Sequence, residues 1–257
     1  MVTCAAQAGY SHLGLRLTPV LPHAKVEHPV IGETQVIREV LRRLEDTGLH
    51  ILDVEFVRLG PETRIAEYES MLETGAQLGA RHVLAGGDDP DEQRLAERFG
   101  ELCDAAARYG LTAHLEPIPL FELGTLAQAA RVLAAADRPN GGIVIDPIHF
   151  FRAPNSFDDI ARLPRKWLHY MQFCDAPAGL PDAATWQHQV RSERMIPGEG
   201  GLDLLGLLHA LPRDLPLGLE VPMATLARTV GAVGRARRLR VATEELLRTL
   251  ESDPRPL

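Results

Sequence analysis

A (β/α)8 barrel is the fold this sequence predicts, on three observations. Short apolar runs alternate with stretches of helical periodicity along the chain, which is the pattern of parallel strands joined by helical crossovers. No composition break, linker, low-complexity segment or short repeat divides the 257 residues, so a single domain over 1–257 is expected. The first strand is not followed by a GxGxxG turn, which argues against a doubly wound dinucleotide-binding sheet of similar size.

The chain opens with a helical stretch, residues 2–8, and a first strand at 11–17 (SHLGLRL). In 33–47, Val36, Ile37, Val40, Leu41 and Leu44 line one helical face that Gly48 closes. Strands follow at 50–57 (HILDVEFV) and 82–85, and the acidic run Gly86-Gly87-Asp88-Asp89-Pro90-Asp91 reads as a turn into the next helix. That helix, 91–109, carries Leu95, Phe99, Leu102 and Ala106 on one face and ends at Gly110. The strand 111–116 (LTAHLE) comes next. Thr125 and Ser156 stand where N-caps belong, on either side of the strand 142–146 (GIVID). The last strands are 168–174 (LHYMQFC) and 217–221 (LGLEV), and the Ala-, Leu- and Arg-rich 223–250 is expected as a closing helix. This makes seven strands where a closed barrel needs eight. An open seam between 11–17 and 217–221 is therefore expected, or a strand upstream of Met1 that fills it. An open seam would expose strand edges, which makes association into a homo-oligomer an expected state.

Composition narrows the function. The net charge of -8 gives no general affinity for a nucleic acid backbone, and the arginine cluster Arg235, Arg237, Arg238 and Arg240 reads as a solvated helix face. No apolar run approaches the roughly 20 residues that span a bilayer, and the first residues lack the pattern of a signal peptide. Cys4, Cys103 and Cys174 are too widely spaced for a disulfide framework, so a cytoplasmic protein is expected. His23 and His28, in a Pro-rich loop after the first strand, could cover a site, with metal binding there disfavoured.

Barrel chemistry sits at the C-terminal ends of the strands. Four consecutive strands end in an oxygen donor: Glu116, Asp146, Gln172 and Glu220. A single acid at a strand end is ordinarily a cap or a loop anchor. Three carboxylates converging on one mouth would repel each other unless a cation neutralised them. An all-oxygen set suits one divalent ion, Mn²⁺, Mg²⁺ or Co²⁺. His169 competes with Gln172, but it lies at the start of its strand and has the opposite parity.

The same residues carry a resemblance. Glu116, then Asp146-Pro147-Ile148-His149, then Gln172 to Asp175, then RMIPGEG (194–200), then Glu220 resemble in order the sugar phosphate isomerase/epimerase superfamily. That group shares the xylose isomerase-like barrel with the endonuclease IV family, and Ala8-Gly9-Tyr10 with HLGLR resembles its first helix leading into its second strand. The resemblance implies that the family's first strand precedes Met1, and that the metal ligands are Glu116, Asp146, Gln172 and Glu220. Most members have histidine where this chain has Gln172; the subset with glutamine includes 3-dehydroshikimate dehydratases.

A metal-held carbonyl with an adjacent hydroxyl makes the carbon between them acidic, so a base can generate a metal-stabilised enediolate. The leading expectation is thus a metal-dependent isomerase or epimerase of a small sugar or polyhydroxylated carbonyl compound. The alternative is a dehydratase of a cyclic hydroxy-ketone such as 3-dehydroshikimate. An endonuclease IV-like phosphodiesterase and a non-catalytic barrel come behind. His149 is the expected acid/base or positioning residue, with Glu116 and Glu220 also candidates for proton transfer. Arg194, Glu55 and Arg16 are expected on the substrate, with Arg194 pairing to Glu193 or Glu199 as its bland alternative.

Overall fold

The computed structural model describes residues 1–20 and 29–252, so His23 and His28 lie outside the described residues. Five parallel strands lie side by side: β1 (His12–Arg16), β2 (His50–Leu59), β3 (His82–Gly87), β4 (Thr112–Glu116) and β5 (Gly141–Ile143). A second parallel pair follows, β6 (Met171–Phe173) and β7 (Leu217–Leu219). The Gln172 N–H donates to the Ile145 carbonyl at 3.2 Å and ties the two groups together. Hydrogen bonds therefore run round the barrel from β1 to β7. Among the described residues these two strands do not pair with each other, and an ion pair from Arg16 to Glu220, 3.0 Å, crosses the seam.

Helices cover the outside, and alternation along each strand divides the core. On β3, Val83 and Ala85 pack into the main layer between strands and helices, whereas Leu84 joins Leu52, Phe56, Val144 and Tyr170 in a separate cluster inside the barrel. The expected caps are present. Thr125 forms a capping box with Gln128 at the start of Leu126–Ala136, and the Ser156 N–H donates to Asp159 Oδ2 at 2.8 Å before Phe157–Ala161.

Some boundaries differ from the sequence reading. Gly86 and Gly87 belong to β3 rather than to a turn. They are small because neighbours crowd them: a Cβ on Gly86 would lie 2.6 Å from Phe56 Cζ. The turn begins at Asp88, and Asp91 caps Glu92–Arg108. The closing helix runs Ala232–Ser252, because Met223 instead pairs its backbone with Glu193 and a short 3-10 turn, Leu226–Arg228, intervenes. The arginines on this helix are mostly spent locally: Arg238 pairs with Glu199 at 3.0 Å, Arg240 with Glu244 at 2.6 Å, and Arg237 donates to the Gln7 carbonyl. No helix among the described residues is long and apolar enough to cross a membrane.

The barrel floor is polar. His114 and His169 share a hydrogen bond at 2.9 Å, His82 bonds Thr112 Oγ1 at 2.6 Å, and Tyr170 stacks on His82. Gly142 makes room, since a Cβ there would meet the His114 ring at 2.4 Å. Burial lowers the His82 pKa to about 4, so this ring is neutral in the fold but ionisable near 6.5 when unfolded. Its folded value is depressed. Its contribution is therefore complete above 6.5 and is lost as pH falls toward about 4. Relative to His82→Gln, the native chain should lose on the order of 3 kcal/mol between pH 7 and pH 4. Urea midpoints for the two proteins at both pH values measure this, and a difference independent of pH would refute it.

Candidate metal centre

The site begins with local chain chemistry around Asp146-Pro147-Ile148-His149. Asp146 caps the short helix Pro147–Phe150: its Oδ1 accepts the Ile148 N–H at 2.9 Å, and Pro147 needs no partner at the first helical position. This turn carries His149 back over the strand ends, where its Nε2 lies 3.7 Å from Glu116 Oε1 at the end of β4. Glu116, Asp146 and His149 are all buried and offer ligand atoms within 4.8 Å of one another.

Arg194 stands behind them. Its Nη1 reaches Asp146 Oδ2 at 2.7 Å, Glu220 Oε2 at 2.9 Å and the Glu220 carbonyl at 2.9 Å. The side chain is only 4% exposed, so the guanidinium is committed to two acids of the site. It is neither an open fork for substrate nor a partner of Glu193 or Glu199. The loop that follows explains how it gets there. Asp175 accepts from the N–H groups of Gly198, Gly200 and Leu202 at 3.0–3.2 Å, and a Cβ on Gly200 would come within 2.2 Å of its Oδ1. The PGEGG turn therefore cradles the chain's own carboxylate, and this anchor fixes the strand-like segment that presents Arg194.

The second half of the site comes from β1, β2, β6 and β7. Glu220, just after β7, gives Oε2 to Arg194 and Oε1 to Arg16 at 3.0 Å, and it stands outside the 4.8 Å cluster. Glu55 on β2 is buried rather than at the rim. Arg16 covers it with a 2.5 Å contact to Oε2. Gln172 is buried too, and its Nε2 donates to Glu55 Oε1 at 3.3 Å. His169 makes its contacts at the barrel floor, with His114 and His82.

The electrostatics are those of a site with more acid than cation, since Glu116, Asp146, Glu55 and Glu220 face Arg16 and Arg194. Burial, then the charges of Asp146 and Glu220, hold Glu116 well above the usual carboxylate range. Burial would raise Asp146 also, but the Arg194 guanidinium and the bonds from Cys174 and Ile148 bring it below its ordinary value. Burial lowers His149 to about 4, so its imidazole is neutral. Among the described residues, Glu116 Oε1 and Gln172 Oε1 are buried acceptors with no hydrogen-bond donor, and His149 Nδ1 is buried without a partner. Leaving such atoms unmatched costs about 1–3 kcal/mol each, and a divalent cation would satisfy the two oxygens. The residues fit that group.

Sequence reasoning missed the layer beneath. Tyr170 OH donates to Asp53 Oδ2 at 3.2 Å, and Asp53 shares a hydrogen bond with Glu55. The parity of Asp53 with Glu55 and of Tyr170 with Gln172 was the available signal. Burial on both faces of β2 hid it.

A family model described as Xylose isomerase-like TIM barrel matches residues 2–246. The 3-dehydroshikimate dehydratase of Pseudomonas aeruginosa is 32% identical over 200 residues, covering 72% of this chain and 31% of that protein, so the chain spans about a third of this relative. The inosose isomerase of Bacillus velezensis is 27% identical over 219 residues, covering 79% of this chain and 74% of that protein. A solved structure of IOLI protein with a binding zinc atom superposes with a TM-score of 0.75 at 19% identity, covering 98% of this chain and 92% of that one. With a match across nearly its whole length and the corresponding barrel beneath it, the chain belongs to the xylose isomerase-like TIM barrel family.

Proposed function

We propose that the protein is a divalent-metal-dependent isomerase or epimerase that moves a proton on a small polyhydroxylated carbonyl compound. The observation that carries this reading is the buried cluster of Glu116, Asp146 and His149 at the strand ends, with acceptor atoms that nothing among the described residues satisfies. Glu116, Asp146, Gln172 and Glu220 are the residues that would hold the ion, and Mn²⁺, Mg²⁺ or Co²⁺ suits such an all-oxygen donor set. When bound, the ion supplies Lewis-acid polarisation of a carbonyl and its neighbouring hydroxyl.

The chain's own groups do the rest. His149, neutral because it is buried, is suited to take a proton from the carbon next to the carbonyl and to return it. Arg194 bridges Asp146 and Glu220 through one nitrogen and offsets part of their repulsion, which keeps both acids at the strand ends. Arg16, the more exposed arginine at the seam, is placed to meet a substrate hydroxyl or carboxylate.

A second reading is favoured by Gln172 and by the dehydratase relative: the same proton removal followed by loss of a β-hydroxyl, which would make the protein a dehydratase of a cyclic hydroxy-ketone. In either case the partner is a small molecule rather than nucleic acid or membrane. The unpaired cysteines suit a reducing, cytoplasmic setting.

The test is turnover of ketoses, an inosose and 3-dehydroshikimate with Mn²⁺, Mg²⁺, Co²⁺ or Zn²⁺, each with an EDTA control. EDTA-sensitive interconversion of ketoses or of the inosose supports the first reading. Loss of water from 3-dehydroshikimate supports the second, and activity indifferent to EDTA overturns both.

A further inference from the structure

Gln172 raises a problem that an imidazole or a carboxylate at its place would not. A carboxamide has nearly the same shape either way round, yet one arm is an acceptor and the other a double donor. Only the oxygen arm can face a cation. Something in the protein has to decide the flip.

We infer that Glu55 is a positioning residue that fixes the Gln172 carboxamide with Nε2 turned toward β2 and Oε1 toward the strand-end cation. The inference rests on the metal reading above. Gln172 Nε2 lies 3.3 Å from Glu55 Oε1, and Gln172 Oε1 is buried with no hydrogen-bond partner among the described residues. In this geometry both Glu55 oxygens accept, Oε2 from Arg16 and Oε1 from Gln172 Nε2, so the flipped amide would set oxygen against oxygen in a dry interior. Glu55 itself has little freedom. Arg16 grips Oε2 at 2.5 Å from above, Asp53 shares a hydrogen bond with it from below, and Tyr170 OH anchors Asp53 at 3.2 Å. The contact spans the barrel, because β2 and β6 are not neighbours in either sheet. It therefore contributes nothing to strand pairing, and its one evident consequence is the orientation of the amide.

The experiment is Mn²⁺ titration followed by the resonance of the free ion, which requires no turnover. Glu55→Gln keeps the shape but can donate as well as accept, so the flip of Gln172 is no longer dictated. Mn²⁺ affinity should fall about 10–100-fold, the usual effect of losing a ligand's supporting partner. In a Gln172→Ala background the same substitution should change affinity little, since no amide remains to orient. Exchanging the two side chains, Glu55→Gln with Gln172→Glu, restores one acceptor-only arm facing one donor, and should bind Mn²⁺ at least as tightly as the native chain. The exchanged pair also stands in if the single variant fails to fold. Equal losses from Glu55→Gln in both backgrounds, or an exchanged pair weaker than Glu55→Gln alone, would overturn the inference while leaving the metal reading in place. A native chain that binds no Mn²⁺ would overturn both.

Discussion

Glu116→Gln is expected to abolish divalent-ion binding and lower turnover by about a thousandfold or more, and at the same time to stabilise the metal-free protein. The first effect follows from losing an anionic ligand: Lewis-acid assistance is worth several kcal/mol, and each 1.36 kcal/mol is tenfold in rate. The second follows from the sign of the shift. Burial and two neighbouring acids raise the folded pKa of Glu116 above its unfolded value. Such a group stabilises the fold fully only below the ordinary glutamate value of 4.5, and that contribution drains away as pH rises above it. Glutamine, which never ionises, escapes the loss. Thermal melts in EDTA should therefore give the variant the higher Tm at pH 7.5 and a smaller advantage at pH 4.5. Adding Mn²⁺ should raise the native Tm and leave the variant unmoved. A variant that melts lower than native in EDTA, or that still shifts with Mn²⁺, would sink the assignment.

The fold was largely legible because the barrel's order is written in alternation. Strand interiors such as Val83, Ala85 and Leu115 are apolar on the outward face, and helical faces such as Leu95–Phe99–Leu102 answer them at the right period. The ends of elements were less legible, for physical reasons. β5, β6 and β7 are only three residues each, and Val144 and Ile145 still bond to the neighbouring strands beyond the end of β5. Asp146 spends its side chain on a helix cap, and Glu220 gives its carbonyl to Arg194.

For the site, the strand-end rule brought Glu116, Asp146, Gln172 and Glu220 into view because those positions need no tertiary information. What sequence could not give is which charge answers which. Arg194 comes from an irregular loop held by Asp175, and no periodicity announces that a guanidinium will end between two acids. Glu55 was expected to meet substrate. A single residue cannot reveal that Arg16 will fold over it and that Gln172 will reach it from the opposite wall. These placements depend on barrel closure, where residues 117 apart in sequence become neighbours.

The arginine is where the largest stability effect is expected. Arg194→Met keeps the apolar stem but removes the charge from a pair in which Asp146 is fully covered and the guanidinium nearly so. Removing one member of a buried pair leaves the other uncompensated and typically costs about 3–5 kcal/mol. For a chain of this size that lowers Tm by roughly 6–20 °C. Asp146 is held below its ordinary pKa by this arginine against the opposing effect of burial, so without Arg194 its pKa should rise. Above that raised value the variant must ionise an unpaired buried acid or keep it protonated at a free-energy cost, and below it the loss should shrink. Asp146→Asn added to Arg194→Met removes the stranded charge and should recover part of the loss, because the penalty belongs to the orphaned carboxylate more than to the missing attraction. Chemical denaturation of the four proteins of this cycle at pH 7 measures the coupling. Strictly additive losses would mean that the two side chains do not depend on each other, and the central ion pair of the site would have to be abandoned.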